Sequence, residues 1–225
     1  MPTSRHERAL WRAGYRAVAG VDEAGRGALF GPVFAAAVVL DPLRPIRGLD
    51  DSKALEPDRR EILAARIRER ARAWAVGAAD AFEIDRWNIL EASRLAMRRA
   101  VGRITGLCDH LLIDAIRIDS PLPQIPLIHG DSLSFSIAAA SILAKVERDR
   151  ALGLWDKVFP EFRLGQNKGY GTAAHLEALD RLGPTALHRF SFEPVRKRHP
   201  YEVWTGYPAP AEAPQPEQQE LFACP

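Results

Sequence analysis

Cysteine is scarce in this chain. Only Cys108 and Cys224 occur among its 225 residues. Two such distant cysteines do not supply the disulfide framework that small secreted domains use. The protein is therefore expected in a reducing compartment, and the cytoplasm is the predicted location.

Long hydrophobic runs are also missing. No apolar stretch is long enough to cross a bilayer, and the charged start of the chain is not followed by the apolar core of a secretory signal. The composition, 47% hydrophobic and 27% charged, is that of a globular protein. A membrane partner is not expected.

A large charge imbalance is absent as well, since the net charge is only +2. The charge is uneven, however, because residues 206–225 contain three glutamates and no Lys or Arg. Residues 1–205 therefore hold 31 positive and 26 negative charges, which is compatible with nucleic-acid binding. The tail, 206–225, is rich in Pro, Glu and Gln and is expected to be disordered, so the predicted folded domain is 1–205.

The order of apolar and amphipathic segments predicts an α/β domain. Strands are predicted near 18–22, 33–40, 73–82, 110–114 and 124–128, and helices over 57–72, 85–104, 133–154 and 173–182. This alternation indicates a mixed β-sheet with helices on its faces.

Two adjacent carboxylates, Asp22 and Glu23, follow the first predicted strand. Neighbouring side chains of a regular strand face opposite ways, so both can serve one site only where the strand becomes irregular. Gly25 is a plausible place for that change, because glycine adopts backbone angles that other residues avoid. The pair is either an ordinary turn or a site for Mg²⁺ or Mn²⁺, which prefer oxygen ligands. Arg26 and the flanking glycines would suit a phosphate or ribose.

Two further carboxylates are predicted near the same edge of the sheet. Asp114 ends a short buried strand, and Asp131 precedes the helix of small residues. Sites in open α/β sheets form beyond the carboxyl ends of strands, and converging carboxylates repel one another unless cations bind between them. Alternatively, Asp114 caps a turn and Asp131 is a helix N-cap.

Other common motifs are excluded. The glycines Gly25, Gly27 and Gly31 are spaced one residue too far apart for a dinucleotide fingerprint, and they precede a strand-like run. No Gly-x-Ser-x-Gly elbow of a serine hydrolase occurs.

Seven groups of residues resemble, in order, the motifs of ribonuclease HII, the type 2 ribonuclease H family. They are Asp22–Gly27 with Gly31-Pro32-Val33, Asp51-Ser52-Lys53, Leu112-Ile113-Asp114, Gly130-Asp131-Ser132, Ser136–Val146 with Arg148-Asp149, Lys168–Thr172 with His175, and His188–Phe192. Ala28, Ala115 and His129 depart from residues common in the family, but every carboxylate is present.

The resemblance implies a ribonuclease-H-like catalytic domain over 1–205, with a mixed sheet, flanking helices and a helical C-terminal part. It implies an endonuclease that cleaves the RNA strand of RNA–DNA hybrids and incises at ribonucleotides embedded in duplex DNA. Asp22, Glu23, Asp114 and Asp131 would hold two Mn²⁺ or Mg²⁺ ions, and the products would carry 5′-phosphate and 3′-hydroxyl ends. A monomer is expected.

The resemblance also implies substrate contacts. Gly25, Arg26 and Gly27 would contact the ribonucleotide and its 2′-hydroxyl, and Tyr170 would stack on the sugar past the RNA–DNA junction. Lys53 is either a phosphate contact or an exposed loop residue. Lys145 and Asp149, four apart on a helix, are expected to form a structural pair. His175, His188 and Arg189 are either substrate contacts or surface groups.

Two other classes of protein share some of these features, and the tail contains one further motif. Integrases and junction resolvases use similar carboxylate clusters but lack the Asp22–Gly27 and Lys168–Thr172 motifs. A non-catalytic module that binds RNA–DNA hybrids is the alternative of another class. In the tail, Gln218, Leu221 and Phe222 resemble the peptides with which bacterial repair enzymes bind the sliding clamp.

Overall fold

A five-stranded sheet forms the centre of the computed structural model, which describes residues 2–199. The strands are β1 Val18–Ala24, β2 Val33–Val39, β3 Ala73–Ala79, β4 His110–Asp114 and β5 Gln124–Leu127. The helices are α1 Arg5–Arg12, α2 Pro57–Arg70, α3 Ala81–Gly102, α4 Phe135–Val158, α5 Leu164–Asn167, α6 Ala173–Leu182 and α7 Glu193–Arg198, with 3₁₀ turns at Gly130–Ser132 and Pro160–Phe162. The tail 206–225, with its Gln218, Leu221 and Phe222 motif, lies outside the described residues.

The sheet is mixed, as the sequence predicts, and its strand order is β3-β2-β1-β4-β5. β2 runs antiparallel to both β1 and β3. β4 lies between β1 and β5 and runs parallel to both of them. Val21 pairs with Ile113 across β1 and β4. The residues that follow them, Asp22 and Asp114, therefore lie at adjacent strand ends.

Each face of the sheet is covered by helices. Ala35 and Ala37 of β2 belong to the buried cluster that contains α3, and the alternate residues Ala36 and Val38 belong to the cluster that contains α2 and α4. Helix α4 lies directly against β1, because a Cβ on Gly20 would lie 2.0 Å from the backbone carbon of Ser136. The glycine is needed for this close approach.

Two predicted boundaries around α3 are wrong. β3 ends at Ala79 rather than at residue 82, and α3 begins at Ala81 rather than at 85. The reason is a capping box: the Asp80 carboxylate accepts the Glu83 amide, and Glu83 accepts the Asp80 amide. Asn88 interrupts α3 with φ 69°, and its side chain accepts the amides of Leu90 and Glu91, which restarts the helix.

Helix α4 begins two residues later than predicted and ends four residues later. Its N-cap is Ser134, whose hydroxyl accepts the Ile137 amide at 3.2 Å. The buried Glu7 carboxylate of α1 reinforces this end, accepting the Ser134 hydroxyl at 2.6 Å and the Ser136 amide at 2.9 Å. The helix stops before Pro160, which cannot continue it.

The C-terminal part of the described chain is helical, as predicted. After β5 it contains α4 to α7 and the two 3₁₀ turns. A third buried cluster, which includes Phe30, Phe162, Leu179 and Val195, joins this part to the loop before β2. Among residues 2–199, no helix is long and apolar enough to cross a membrane.

Candidate active site

The four predicted carboxylates lie at one end of the sheet. Asp22 and Asp114 are at the ends of the parallel neighbours β1 and β4, and Asp131 is in the 3₁₀ turn after β5. Asp22 and Asp131 are buried, and Glu23 is largely buried. Asp22 and Glu23 pair regularly with Ala36 and Ala35, so the strand stays regular up to the place where the sequence predicts the change.

The irregular backbone begins at Gly25, where φ is +94°. Asp22 and Glu23 therefore point to opposite faces of the sheet, and they reach one region only because the strand ends directly after them. The fields of Glu23 and Asp114 both act to raise the pKa of Asp22.

Burial and mutual repulsion disfavour the charged carboxylates. Burial, followed by the charges of Glu23 and Asp114, raises the pKa of Asp22 well above its usual range. Burial also raises the pKa of Glu23, although Arg26 opposes the effect. For Asp131, burial and the negative charges of Asp51 and Asp114 raise the pKa. Bound cations would reduce the repulsion among these negative charges.

Each aspartate has one oxygen engaged by a backbone amide. Asp22 accepts from Glu23 at 2.7 Å, Asp114 from Gly130 at 2.7 Å, and Asp131 from Ser132 at 2.9 Å. The bond between Asp114 and Gly130 ties the end of β4 to the turn that carries Asp131. Asp131 is not the N-cap of α4, because Ser134 occupies that position.

The residues present fit a divalent metal ion in chemistry. All four side chains supply oxygen, the ligand that Mg²⁺ and Mn²⁺ prefer, and the buried Oε2 of Glu23 has no hydrogen-bond partner. As they stand, no three Asp, Glu, His or Cys side chains within residues 2–199 are arranged to hold a metal ion together. One oxygen of each aspartate is held by an amide, so ligation would use the remaining oxygens or a rotated carboxylate.

Two cations border the acidic cluster. The Arg26 guanidinium lies 3.4 Å from Oε1 of Glu23, and the Lys53 ammonium lies 4.0 Å from Oδ2 of Asp131. Partial burial acts to lower the pKa of Lys53, but the combined field of four neighbouring aspartates outweighs it and raises this pKa. The Lys53 side chain is 82% exposed, which leaves it free to meet solvent-side anions.

The loop that carries Lys53 is held in place by a contact that the sequence did not reveal. The hydroxyls of Ser52 and Ser141 are 2.8 Å apart and buried, and Ser141 acts to lower the pKa of Asp22. Asp51 of the same loop adds negative charge beside Asp131. The Asp51-Ser52-Lys53 motif marked this loop, but only the fold places it against α4.

The predicted substrate contacts Gly25, Gly27 and Tyr170 lie close to one another. Tyr170 is 40% exposed, and a Cβ on Gly27 would lie 3.7 Å from its ring. Beneath them, the buried Arg148 guanidinium lies 5.5 Å from the centre of the Tyr170 ring. Gly27 and Tyr170 therefore lie on one surface, and the buried Gly25 lies beneath it against Arg148; the three together are called here the turn–tyrosine surface.

Three residues of undecided role prove to be buried rather than on the surface. His175, His188 and Arg189 are each 0% exposed, so neither expectation for them, a surface group or a direct substrate contact, fits. They lie directly behind the turn–tyrosine surface. The predicted pair of Lys145 and Asp149 is present, with 2.7 Å between Nζ and Oδ1.

The sheet and its acidic edge define an enzyme of the ribonuclease-H-like fold class. Comparison with known proteins agrees: the family model for ribonuclease HII matches residues 19–195. A ribonuclease HII of Solibacter usitatus is 60% identical over 190 residues, covering 84% of this chain and 83% of that protein. The chain therefore belongs to the ribonuclease HII family, and it is a metal-dependent endoribonuclease of the ribonuclease H type.

Solved structures share the fold. Ribonuclease H2 from Pyrococcus horikoshii superposes with a TM-score of 0.69 at 26% identity, covering 81% of this chain and 97% of that one. The ribonuclease HII of Archaeoglobus fulgidus, solved in complex with PCNA, superposes with a TM-score of 0.68 at 25% identity, covering 81% and 96%.

Proposed function

We propose that this enzyme cleaves the RNA strand of RNA–DNA hybrids and incises duplex DNA at single embedded ribonucleotides. The products would carry 5′-phosphate and 3′-hydroxyl ends. The observation that carries the proposal is the buried acidic edge: Asp22 and Asp114 end adjacent parallel strands, and Gly130 links Asp114 to the turn of Asp131.

Asp22, Glu23, Asp114 and Asp131 would hold two divalent ions, Mg²⁺ or Mn²⁺. Bound there, the ions supply Lewis-acid stabilisation of the charge that develops on the reacting phosphodiester. The protein contributes the fixed positions of the carboxylates. The pKa values of Asp22, Glu23 and Asp131 are raised, first of all by burial, so bound cations would stabilise the charged carboxylates of this site.

The turn–tyrosine surface would recognise the ribonucleotide. Within residues 2–199, the amides of Arg26 and Gly27 donate no hydrogen bond to another protein group, so they are available to a phosphate or a 2′-hydroxyl. The exposed Tyr170 ring lies beside these amides and would stack on the sugar past the junction. Lys53, beside Asp131 of the acidic cluster, would contact a phosphate.

The test is cleavage of two labelled duplexes, one with a single ribonucleotide and one a long hybrid, in Mg²⁺ and in Mn²⁺. Wild-type enzyme is expected to cut both, and Asp22→Asn to cut neither. The variant should bind the hybrid as well as wild type or more tightly, because one negative charge facing phosphate is removed. Binding without cleavage by the wild-type enzyme would instead support a non-catalytic hybrid-binding module. Substantial cleavage by Asp22→Asn in saturating Mg²⁺ would contradict the role of Asp22.

We also propose that the tail binds the sliding clamp. Gln218, Leu221 and Phe222 form the motif, and the PCNA complex of the Archaeoglobus fulgidus relative supports a test of this kind of partner. The residues before the motif would tether the enzyme near DNA and raise its local concentration. A peptide of residues 214–225 should bind the clamp of the same organism, and the Leu221→Ala, Phe222→Ala peptide should not. Equal binding of the two peptides would refute the proposal.

The remaining assignments are the domain division, the oligomeric state and the location. We propose residues 1–205 as the catalytic domain of a cytoplasmic monomer, with 206–225 as its tail. Light scattering after size-exclusion chromatography should give the mass of one chain, 25.0 kDa. Twice that mass would contradict the monomer. Deletion of 206–225 should leave cleavage of free duplexes unchanged if the division is right.

A further inference from the structure

A pair of buried histidines lies directly behind Tyr170. Nε2 of His175 and Nε2 of His188 are 3.1 Å apart, and Nδ1 of His175 lies 2.9 Å from the Tyr170 carbonyl oxygen. At the other end, the Thr185 amide donates to Nδ1 of His188 at 2.9 Å. The four groups form a continuous chain of hydrogen bonds, called here the histidine relay.

The hydrogen bonds fix one direction for this relay. Nδ1 of His188 must be unprotonated, because it accepts the Thr185 amide, so the proton of this ring is on Nε2. Nε2 of His188 therefore donates to Nε2 of His175. The proton of His175 must then be on Nδ1, where it donates to the Tyr170 carbonyl. This direction holds only while both rings are neutral, and burial lowers both pKa values, that of His188 to about 3.

The segment that contains His188 is also attached to residues 25–31, the glycine turn between β1 and β2. Arg189, next to His188, donates from Nη1 to the Arg26 carbonyl at 2.8 Å and from Nε to the Gly31 carbonyl at 2.9 Å. The Arg189 amide also bonds the Leu29 carbonyl at 2.8 Å. His188 and Arg189 therefore connect the two halves of the turn–tyrosine surface from behind.

Tyr170 also has other support, because the Arg148 guanidinium lies beneath its ring and the carbonyl of the preceding Gly169 accepts the Leu29 amide at 2.8 Å. Tyr170 follows two residues with left-handed backbone, Lys168 at φ 52° and Gly169 at φ 76°. Its own amide bonds the Asn167 carbonyl at 3.0 Å, and its carbonyl also accepts the Thr172 amide at 2.8 Å. Among residues 2–199, the relay supplies the side-chain hydrogen bond to the Tyr170 backbone and links this loop to α6 and to Thr185.

We propose that His175, oriented by His188, is a positioning residue that holds Tyr170 in place for substrate and thereby sets the preference for single embedded ribonucleotides. The inference rests on the proposed function, in which Tyr170 stacks at the junction. A single ribonucleotide offers one register in which the ring can stack, whereas a long hybrid offers many sites for cleavage. Misplacing the Tyr170 ring should therefore reduce incision at the single ribonucleotide more than it reduces cleavage of the long hybrid.

The test compares two amide variants of His175. His175→Asn keeps an N–H donor near the position of Nδ1, whereas His175→Gln moves the amide towards the position of Nε2. The readout is the selectivity ratio, defined as kcat/KM for the single-ribonucleotide duplex divided by kcat/KM for the long hybrid. His175→Gln is expected to lower this ratio by about two- to tenfold, the effect of one lost hydrogen bond, and His175→Asn to leave it near the wild-type value.

The same two substitutions are then made in Tyr170→Ala. With the ring gone, the two amide variants should give the same ratio, because the relay has no ring left to position. Melting curves of all variants accompany the assays. A ratio that falls equally in His175→Asn and His175→Gln, or that still differs between them in Tyr170→Ala, would overturn the proposal.

Loss of a cooperative melt in both amide variants would also overturn it, because the relay would then be required for the core rather than for Tyr170. Failure of the proposed function would show in the cleavage by wild-type enzyme and not in the variants. If wild-type enzyme cuts only one of the two duplexes or neither, the function is wrong whatever the variants do. If it cuts both and the ratio does not respond to His175→Gln, only the positioning role is wrong.

Discussion

Replacing Gly25 by Ala adds one methyl group at the point where β1 leads into the glycine turn. Gly25 has φ +94°, and an added Cβ would lie 1.9 Å from Nε of the buried Arg148. Both the backbone and the arginine would have to move. The substitution therefore tests whether Arg148 and the turn form one packed unit.

The expected loss of stability has two parts. A left-handed backbone costs a residue with a Cβ about 1–2 kcal/mol. Moving Arg148 breaks its bond to the Phe30 carbonyl, recorded at 3.5 Å, and its contact with the Tyr170 ring at 5.5 Å. Together these contacts contribute about 1–2 kcal/mol. Gly25→Ala should thus lower the free energy of unfolding by about 2–4 kcal/mol.

Urea denaturation measures this loss, and Gly153→Ala is the matched control. Gly153 lies in α4, the helix that carries Arg148, and a Cβ there meets nothing within 4 Å. Because glycine inside a helix is unfavourable, this control should gain about 0.5–1 kcal/mol. If Gly25→Ala changed the free energy of unfolding by less than about 0.5 kcal/mol, the packing of Arg148 under Gly25 would be refuted.

Three further predictions concern stability. Millimolar Mg²⁺ or Mn²⁺ should raise the Tm of wild type more than that of Asp22→Asn, because the ions bind only the folded acidic edge; equal shifts would mean that the carboxylates bind no ion together. The pKa of His188 is lowered to about 3, below its value in the unfolded chain, so the stability from this group is complete above about pH 6.5 and falls by up to ~1.4 kcal/mol per pH unit as the pH drops towards 3. His188→Gln should lose less stability than wild type across this range in urea titrations. An equal loss would argue that the ring is not buried in its neutral form. Glu7→Ala should cost about 2–3 kcal/mol by removing two charge-assisted bonds at the start of α4, whereas the exposed neighbour variant Arg8→Ala should change little; near-equal urea midpoints would contradict the capping role.

Much of the fold could be predicted from local pattern. β4 and α6 have the predicted bounds, and the other predicted strands and long helices are present. The boundary errors occur where side-chain capping overrides hydrophobic pattern. Asp80 and Glu83 end β3 early and start α3, and Ser134 with Glu7 sets the start of α4. The contact between Glu7 and Ser134 spans 127 positions in the sequence, so no local window can reveal it.

The candidate site was less accessible to sequence reasoning. Asp22, Glu23, Asp114 and Asp131 were found because each follows or closely follows a predicted strand. The pairing that brings them to one edge depends on β1 lying between β2 and β4, which no motif specifies. The residues behind the turn were misjudged: His175, His188 and Arg189 are polar and were expected at the surface or on the substrate. Their burial follows from the packing of the C-terminal helices on Phe30, a contact between distant parts of the chain.

Two buried arginines, Arg148 and Arg189, lie beneath the glycine turn. Arg148 and Arg189 each have a nitrogen without a hydrogen-bond partner, Nε and Nη2, and each pKa is lowered chiefly by burial. Burying two cations is unfavourable, yet both lie beneath a turn that is proposed to meet a polyanion. Their positive field would attract phosphate, and the Arg26 carbonyl that Arg189 holds points inward, so the Gly27 amide of the same planar peptide points away from Arg189. The unfavourable burial therefore fits a surface that is organised for substrate binding rather than for stability. Strained and desolvated groups often occur at functional sites.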